Sequence, residues 1–366
     1  MAQIRSDARH LLRRDADLLE AYPAPEPLDQ FAARLGVAPG DVDKLDQNEN
    51  PYGCSPRVRD ALGRYDWLHV YPDPLHRELR ARLGDYAGLP SERIIVGNGS
   101  DELIELILHL FVEPGDGVLS AAPTFGYYAT AAQAVGADYR LVPRGLRFEV
   151  DVGSMIAAVN ARTKVVFLAS PNNPTGNLTP IGTIERLLAL DVVVVVDEAY
   201  FEFAGQSAVG LAVAGAENLI VLRTFSKWAG LAGLRLGYGI FPSSLVPAAL
   251  SLKPPYSVSQ AAEIAGIASL VDLAYLRANV ERILSERRRL SDGLAATGFL
   301  IPHPSDANFV LCDVVGKSAA EIQAALAQRA ILVRRYGGPR LENSLRISVG
   351  RPEQTDRVLA ILRELR

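Results

Sequence analysis

Residues Val192 to Val196 form an unbroken run of valine, and Asp197 stands at its carboxyl end. Five β-branched residues without polar alternation read as a strand buried on both faces, as in a parallel sheet covered by helices. The neighbouring sequence repeats the pattern. Arg93 to Val96 leads through Gly97-Asn98-Gly99-Ser100 into Asp101 to Leu108, whose apolar residues fall on one helical face. Gly117 to Ser120 precedes Pro123-Thr124-Phe125, Lys164 to Ala169 precedes the turn-rich Ser170 to Gly176, and Asn218 to Leu222 precedes Arg223-Thr224-Phe225-Ser226-Lys227. Short β-branched runs alternating with helical spacing predict an α/β fold. In such sheets the ligand crevice lies beyond the carboxyl ends of the strands, where the loops converge. Asn173, Asp197 and Lys227 each follow such an end, so three polar groups from separate strands are expected at one site.

The chain has 366 residues, enough for two connected domains with a large apolar interior. Beyond Pro254-Pro255-Tyr256 the sequence turns helical and basic. Shorter strands are expected at Asn308 to Cys312, Ile331 to Arg334 and Leu345 to Val349, around a helix from about Ala319 to Arg329. This part reads as a smaller α+β domain completed by the amino-terminal segment. The expected division is an amino-terminal arm and part of the small domain at 1–49, a large domain at 50–265, and the rest of the small domain at 266–366.

A net charge of −4 argues against a surface built for nucleic acid or anionic lipid, which leaves small molecules as the expected partners. No apolar run approaches the roughly 20 residues needed to cross a bilayer. The charged amino terminus lacks the apolar core of a signal peptide. Cys54 and Cys312 suggest neither a disulfide framework nor a zinc site, so a reducing, cytoplasmic location is expected. The histidines show no metal-ligand spacing; solvated or capped side chains are expected there, and no metal.

A glycine-rich loop that opens a helix can bind phosphate, because its free backbone N–H groups and the helix dipole both favour an anion. Gly97-Asn98-Gly99-Ser100-Asp101 is such a loop. Its competing reading is a plain connector capped by Ser100 or Asp101. It lacks the third glycine of a dinucleotide fingerprint, Glu102 standing there, and the Gly-Lys-Ser/Thr ending of a nucleotide P-loop. Asp197 alone could cap the following turn, and Lys227 alone could be surface decoration. Together they suit more, since a buried ionised carboxylate needs a cationic partner. A Schiff-base lysine with a carboxylate for a pyridinium nitrogen is the pyridoxal 5′-phosphate (PLP) arrangement. Trp228, beside the lysine, is expected to pack beneath the site.

Seven motifs occur in order: Asn48-Glu49-Asn50-Pro51-Tyr52-Gly53, Tyr71-Pro72-Asp73-Pro74, Gly97 to Glu102, Pro123-Thr124-Phe125, Asn172-Asn173-Pro174-Thr175-Gly176, Asp197-Glu198-Ala199-Tyr200, and Ser226-Lys227 followed by Gly233 to Tyr238. With them the chain resembles the histidinol-phosphate aminotransferases, within the fold-type-I PLP enzymes. The resemblance implies a mostly parallel seven-stranded sheet in the large domain. It implies Lys227 as Schiff-base anchor and as the base that moves the substrate Cα proton. Asp197 would keep the pyridine nitrogen protonated, Tyr200 and Asn173 would hydrogen-bond the ring's phenolic oxygen, and Phe125 would stack on the ring. Gly99, Ser100, Asp101, Thr224, Ser226 and Arg235 would hold the cofactor phosphate. Tyr71 would reach that phosphate from a neighbouring subunit, which makes a homodimer with shared active sites the expected assembly.

For substrate, Arg346 matches an arginine that clamps an anionic group, the carboxylate of glutamate in one half-reaction. Arg334 matches a second arginine for the phosphate of histidinol phosphate, and Tyr22 would add a hydroxyl to the same pocket. Arg335 and Arg340 follow closely, so the inward-pointing arginine is left open. The implied reaction converts L-histidinol phosphate and 2-oxoglutarate to imidazole-acetol phosphate and L-glutamate, in histidine biosynthesis. The alternatives are an aromatic amino-acid aminotransferase, a PLP-dependent amino-acid phosphate decarboxylase, or a PLP-binding regulatory module. The last would need a DNA-binding segment, which neither end is expected to supply.

Overall fold

The computed structural model describes residues 7–13, 16 and 25–365; Tyr22 lies outside the described residues. In chain order the strands are β1 (Asp43–Leu45), β2 (Ile94–Asn98), β3 (Gly117–Ala122), β4 (Asp138–Pro143), β5 (Thr163–Ala169), β6 (Val193–Asp197), β7 (Leu219–Thr224), β8 (Leu236–Ile240), β9 (Leu300–Pro302), β10 (Phe309–Val314), β11 (Ile331–Arg335) and β12 (Ser344–Ser348). They form a seven-stranded sheet, β2-β8-β7-β6-β5-β3-β4, and a five-stranded one, β1-β11-β12-β10-β9. In the larger sheet only β8 runs antiparallel to its neighbours.

The valine run is the middle strand of the seven, and its alternate residues serve two cores. Val195 joins Phe167, Ile220 and Leu222 against Leu103 and Ile107 of the helix Gly99–Phe111. Val194 and Val196 join Val166 and Val221 against Ile184 and Leu187 on the other face. Both faces are dry, which is why no polar residue alternates; each buried valine contributes roughly 1.5–3 kcal/mol of transfer free energy.

Two strands of this sheet were not legible in the residue pattern. Strand β4 is an edge with several exposed positions, so it carries no apolar run. Strand β8 holds Gly237 and Gly239, which weaken any strand signal. Gly237 has a reason: a Cβ there would lie 2.6 Å from Gly99 C and Ser100 N, so β8 passes directly under the glycine-rich loop.

The smaller sheet takes β1 from the amino-terminal segment, paired parallel to β11 with Leu45 opposite Val333. That pairing delivers Asp46 to Glu49 to the edge of the cavity described below. The expected ends differ slightly: β10 continues to Val314, and the helix from Ala319 stops at Ala327. His76 departs from the expectation of a solvated or capped histidine. It is buried, with Nδ1 2.8 Å from Glu263 Oε2, because the helix Gln260–Val271 packs against the helix that His76 precedes. The Gly316-Lys317-Ser318 run is a helix cap, not a phosphate loop: Leu311 stands where the first glycine would be needed, and Ser318 Oγ accepts from Glu321 N–H. No helix among the described residues is long and apolar enough to cross a membrane.

Candidate active site

A cavity of about 600 Å³ opens beyond the carboxyl ends of the parallel strands, with residues of both sheets in its wall. Asp197 is the last residue of β6, Lys227 follows β7, Asn173 follows β5, and Ser100 and Asp101 open the helix after β2. All of them line the cavity, as do Phe125, Tyr200, Thr224, Ser226, Arg235, Arg334 and Arg346.

Lys227 Nζ donates to Gln47 O at 2.9 Å. Burial, with Arg346 nearby, lowers its pKa to about 8. The buried Asp197 accepts from Tyr128 Oη at 2.6 Å and from Ala199 N–H at 3.1 Å, so it does cap the following turn as well as facing the cavity. Burial raises its pKa to about 6 against those two hydrogen bonds. No ion pair joins Asp197 to Lys227 among the described residues; the carboxylate has only neutral donors, a setting that favours an incoming cationic N–H group.

Beside them the start of the helix Gly99–Phe111, Thr224, Ser226 and Arg235 share one corner of the cavity. Gly99 opens its helix at φ +78°, and a Cβ on it would lie 2.5 Å from Arg235 Nη2. Arg235 donates to Asp101 Oδ2 at 2.8 Å and to Ala232 O at 3.2 Å, and reaches Ser226 Oγ at 3.5 Å. Thr224 Oγ1 donates to Ser226 Oγ at 2.9 Å. A helix N-terminus, two hydroxyls and a guanidinium in one corner suit a phosphate. Asp101 is the acidic member, its pKa raised by burial and drawn back by Arg235.

The opposite wall comes from the smaller sheet. Arg334 and Arg346 are directly opposite partners on β11 and β12, so both side chains leave the same face of the sheet, toward the cavity. Arg335 takes the other face and is exposed, while Arg340 donates to Arg144 O, Gly145 O and Leu146 O. Among the three arginines left open, Arg334 is therefore the one in the cavity wall. Arg346 is buried, donates to Asn173 Oδ1 and to Asp46 O, and lies 5.2 Å from the centre of the Phe309 ring; its Nε has no hydrogen-bond partner among the described residues.

Sequence reasoning missed four contributors. Tyr128, three residues past Phe125 in the first turn of its helix, holds Asp197 and meets the Phe125 ring edge-on. Asn48, at φ +56°, donates to Tyr200 Oη at 3.0 Å, and burial pushes that phenol up to about 12. The Gln47 carbonyl holds Lys227, and Tyr336 donates to Asn173 Oδ1 at 3.4 Å. Asn48 lies in a recognised motif; Tyr128 and Tyr336 had no sequence signal beyond aromatic character, and the Gln47 carbonyl, a backbone group, had none. Trp228 is buried and stacked on Tyr86, outside the cavity wall. Tyr71 is 77% exposed, outside this chain's own cavity, with its ring 4.6 Å from that of Tyr256.

A profile of the family described as aminotransferase class I and II matches residues 41–362. The chain is 48% identical over 364 residues to a histidinol-phosphate aminotransferase of Roseiflexus castenholzii, covering 97% of this chain and 98% of that one. It is 41% identical over 354 residues to one of Dehalococcoides mccartyi, covering 97% of each. Among solved structures, the histidinol-phosphate aminotransferase of Sinorhizobium meliloti in complex with pyridoxal-5′-phosphate superposes with a TM-score of 0.87 at 28% identity, over 97% of this chain and 99% of that one.

Proposed function

The chain belongs to the class I and II aminotransferase family, and on that premise we propose that it moves the amino group of L-histidinol phosphate to 2-oxoglutarate, with PLP as cofactor, in histidine biosynthesis. The observation that carries the substrate is the Arg334–Arg346 pair. Like charges directly opposite on neighbouring strands destabilise a sheet, and a dianion between two guanidinium forks removes that cost.

The residues present fit PLP. Asp197 is a buried carboxylate with no cation paired to it among the described residues, Gly237 leaves no room for a Cβ beneath the corner that would take the phosphate, and Lys227 lines the same cavity. When bound, PLP supplies an electrophilic carbon for the amine and a ring that accepts the electron pair left by the departing Cα proton. Lys227 would be the covalent anchor and the base for that proton, and burial, which lowers its pKa to about 8, favours the neutral amine that a base needs. Asp197 would hold a proton on the pyridine nitrogen by its charge. Tyr200 and Asn173 would orient the ring through its phenolic oxygen, with Phe125 against the ring. Ser100, Asp101, Thr224, Ser226 and Arg235, with the Gly99 backbone, would hold the phosphate. Arg346 takes the carboxylate of glutamate in the return half-reaction.

The same reading includes a homodimer. Its support is an exposed apolar stretch, Trp67, Leu68, Val70 and Tyr71, from which Tyr71 would reach the phosphate site of a second copy. It includes the division into residues 1–49, 50–265 and 266–366 and a cytoplasmic location, for which two free cysteines are the support.

Mixing PLP-loaded protein with L-histidinol phosphate alone tests the reading in a single turnover: the visible absorbance of the aldehyde form should give way to that of pyridoxamine phosphate. Conversion only with tyrosine or phenylalanine would move the assignment to an aromatic amino-acid aminotransferase. Lys227→Ala should lower turnover by at least about 10⁴-fold; a variant as fast as the parent would overturn the central assignment.

A further inference from the structure

Arg340 lies in the connection between β11 and β12, five residues after Arg335, at φ +67°. It is not among the residues of the cavity wall. Nη1 donates to Arg144 O and Gly145 O, both at 2.8 Å, and Nη2 to Leu146 O at 3.0 Å. Its guanidinium also lies 4.4 Å from the centre of the Phe148 ring. Residues 144–148 follow β4 and belong to the larger sheet's side of the molecule, so this one side chain spans the two sheets.

The turn it grips is itself a plug. Phe148, also at positive φ (+63°), is buried with Leu311 of β10 and Leu341, with Tyr336 packed against them. Two non-glycine residues in the left-handed region persist only where their surroundings hold them. Behind the plug, the buried Arg144 donates to Ala121 O, Pro123 O and Phe148 O. Asn172 also donates to Pro123 O, and Thr124 Oγ1 donates to Asn172 Oδ1. The foundation of the turn is thus the backbone that presents Phe125 and Asn173 to the cavity. At the other end of the connection, Tyr336 and Arg334 stand in the cavity wall.

We propose that Arg340 is a positioning residue for substrate: by clamping the 144–148 turn it fixes the 336–343 connection, and so holds Arg334 and Tyr336 at the smaller-sheet end of the cavity, where the substrate phosphate would bind, opposite the cofactor-phosphate corner. The inference rests on the histidinol-phosphate reading and adds to it a fastening between the two sheets. Arg340 touches neither substrate nor cofactor. Its effect reaches the reaction only through where the Arg334 fork stands.

The test is a double-mutant cycle in the PLP-loaded enzyme, with KM and kcat measured separately for L-histidinol phosphate. Arg340→Ala should raise KM about tenfold and leave kcat within about twofold. The same substitution in an Arg334→Ala background should add almost nothing, because the group it positions is gone. Arg340→Lys, with one ammonium in place of a fork across three carbonyls, should recover part of the loss. An equal KM rise in both backgrounds, or no rise in the parent background, overturns the proposal. Failure of the parent enzyme itself to convert histidinol phosphate, while it still exchanges its amino group with glutamate, overturns the substrate reading and the positioning role with it, and is told apart because it needs no substitution.

Discussion

The two ends of the cavity are built differently. The end at the larger sheet is assembled from strand-end loops held by backbone geometry: Gly237 lies so close to the Gly99–Ser100 backbone that it has no room for a side chain, Gly99 has room for one only if Arg235 moves, and Thr224, Ser226 and Arg235 fill one corner. The end at the smaller sheet depends on two side chains from paired strands and on a connection, 336–343, fastened by contacts outside its own sheet. The first arrangement tolerates almost no change in the backbone. The second sets its geometry through strand register and one distant clamp, so it is the end where substrate choice can vary while the cofactor chemistry stays the same.

The sharpest way to separate the two ends is Asp197→Asn. It should lower kcat by about 10²–10³-fold with little change in KM, a loss confined to chemistry. In the apoprotein the same substitution should act in the opposite sense on stability. The folded-state pKa of about 6 lies above the ordinary 3.8, so the folded state binds more protons across that window and stability falls as pH rises through it. Removing the carboxylate should flatten that slope and raise neutral-pH stability by up to about 3 kcal/mol, read by urea unfolding between pH 4 and 7. Unchanged unfolding profiles would mean that Asp197 is not a buried charge at a cost.

A smaller effect is expected at the other end. Arg334→Ala should raise the KM for histidinol phosphate about 10- to 100-fold, the loss of one charge-assisted fork, whereas Arg335→Ala should leave it within about twofold. Equal effects would break the argument from strand face. Gly99→Ala is the mildest case: the added methyl group must displace Arg235, so PLP affinity measured by dialysis and reconstitution should fall about tenfold, with substrate KM in the saturated enzyme unchanged.

Legibility follows the same division. The valine run, the β-branched strands and the positions of Asn173, Asp197 and Lys227 at strand ends could be read from local periodicity, because a doubly covered parallel strand has no polar alternation and its carboxyl end opens on the crevice. Strands β4 and β8 could not be read from the residues, one being a wet edge and the other glycine-bearing; the resemblance supplied only the number of strands. Tyr128 and Tyr336 had no local signature, since what matters about them is a partner 69 or 163 residues away.

By itself the sequence determined the α/β class, the parallel sheet and which strand ends carry chemistry, since those depend on residue period and neighbours within a few positions. Only the tertiary structure decided that Arg334, not Arg335 or Arg340, faces the cavity, that Asp197 is held by a phenol, and that Arg340 ties one sheet to the other. Each of those depends on strand register and on contacts between segments far apart in the chain, and a one-residue shift of β11 would turn Arg335 inward in place of Arg334.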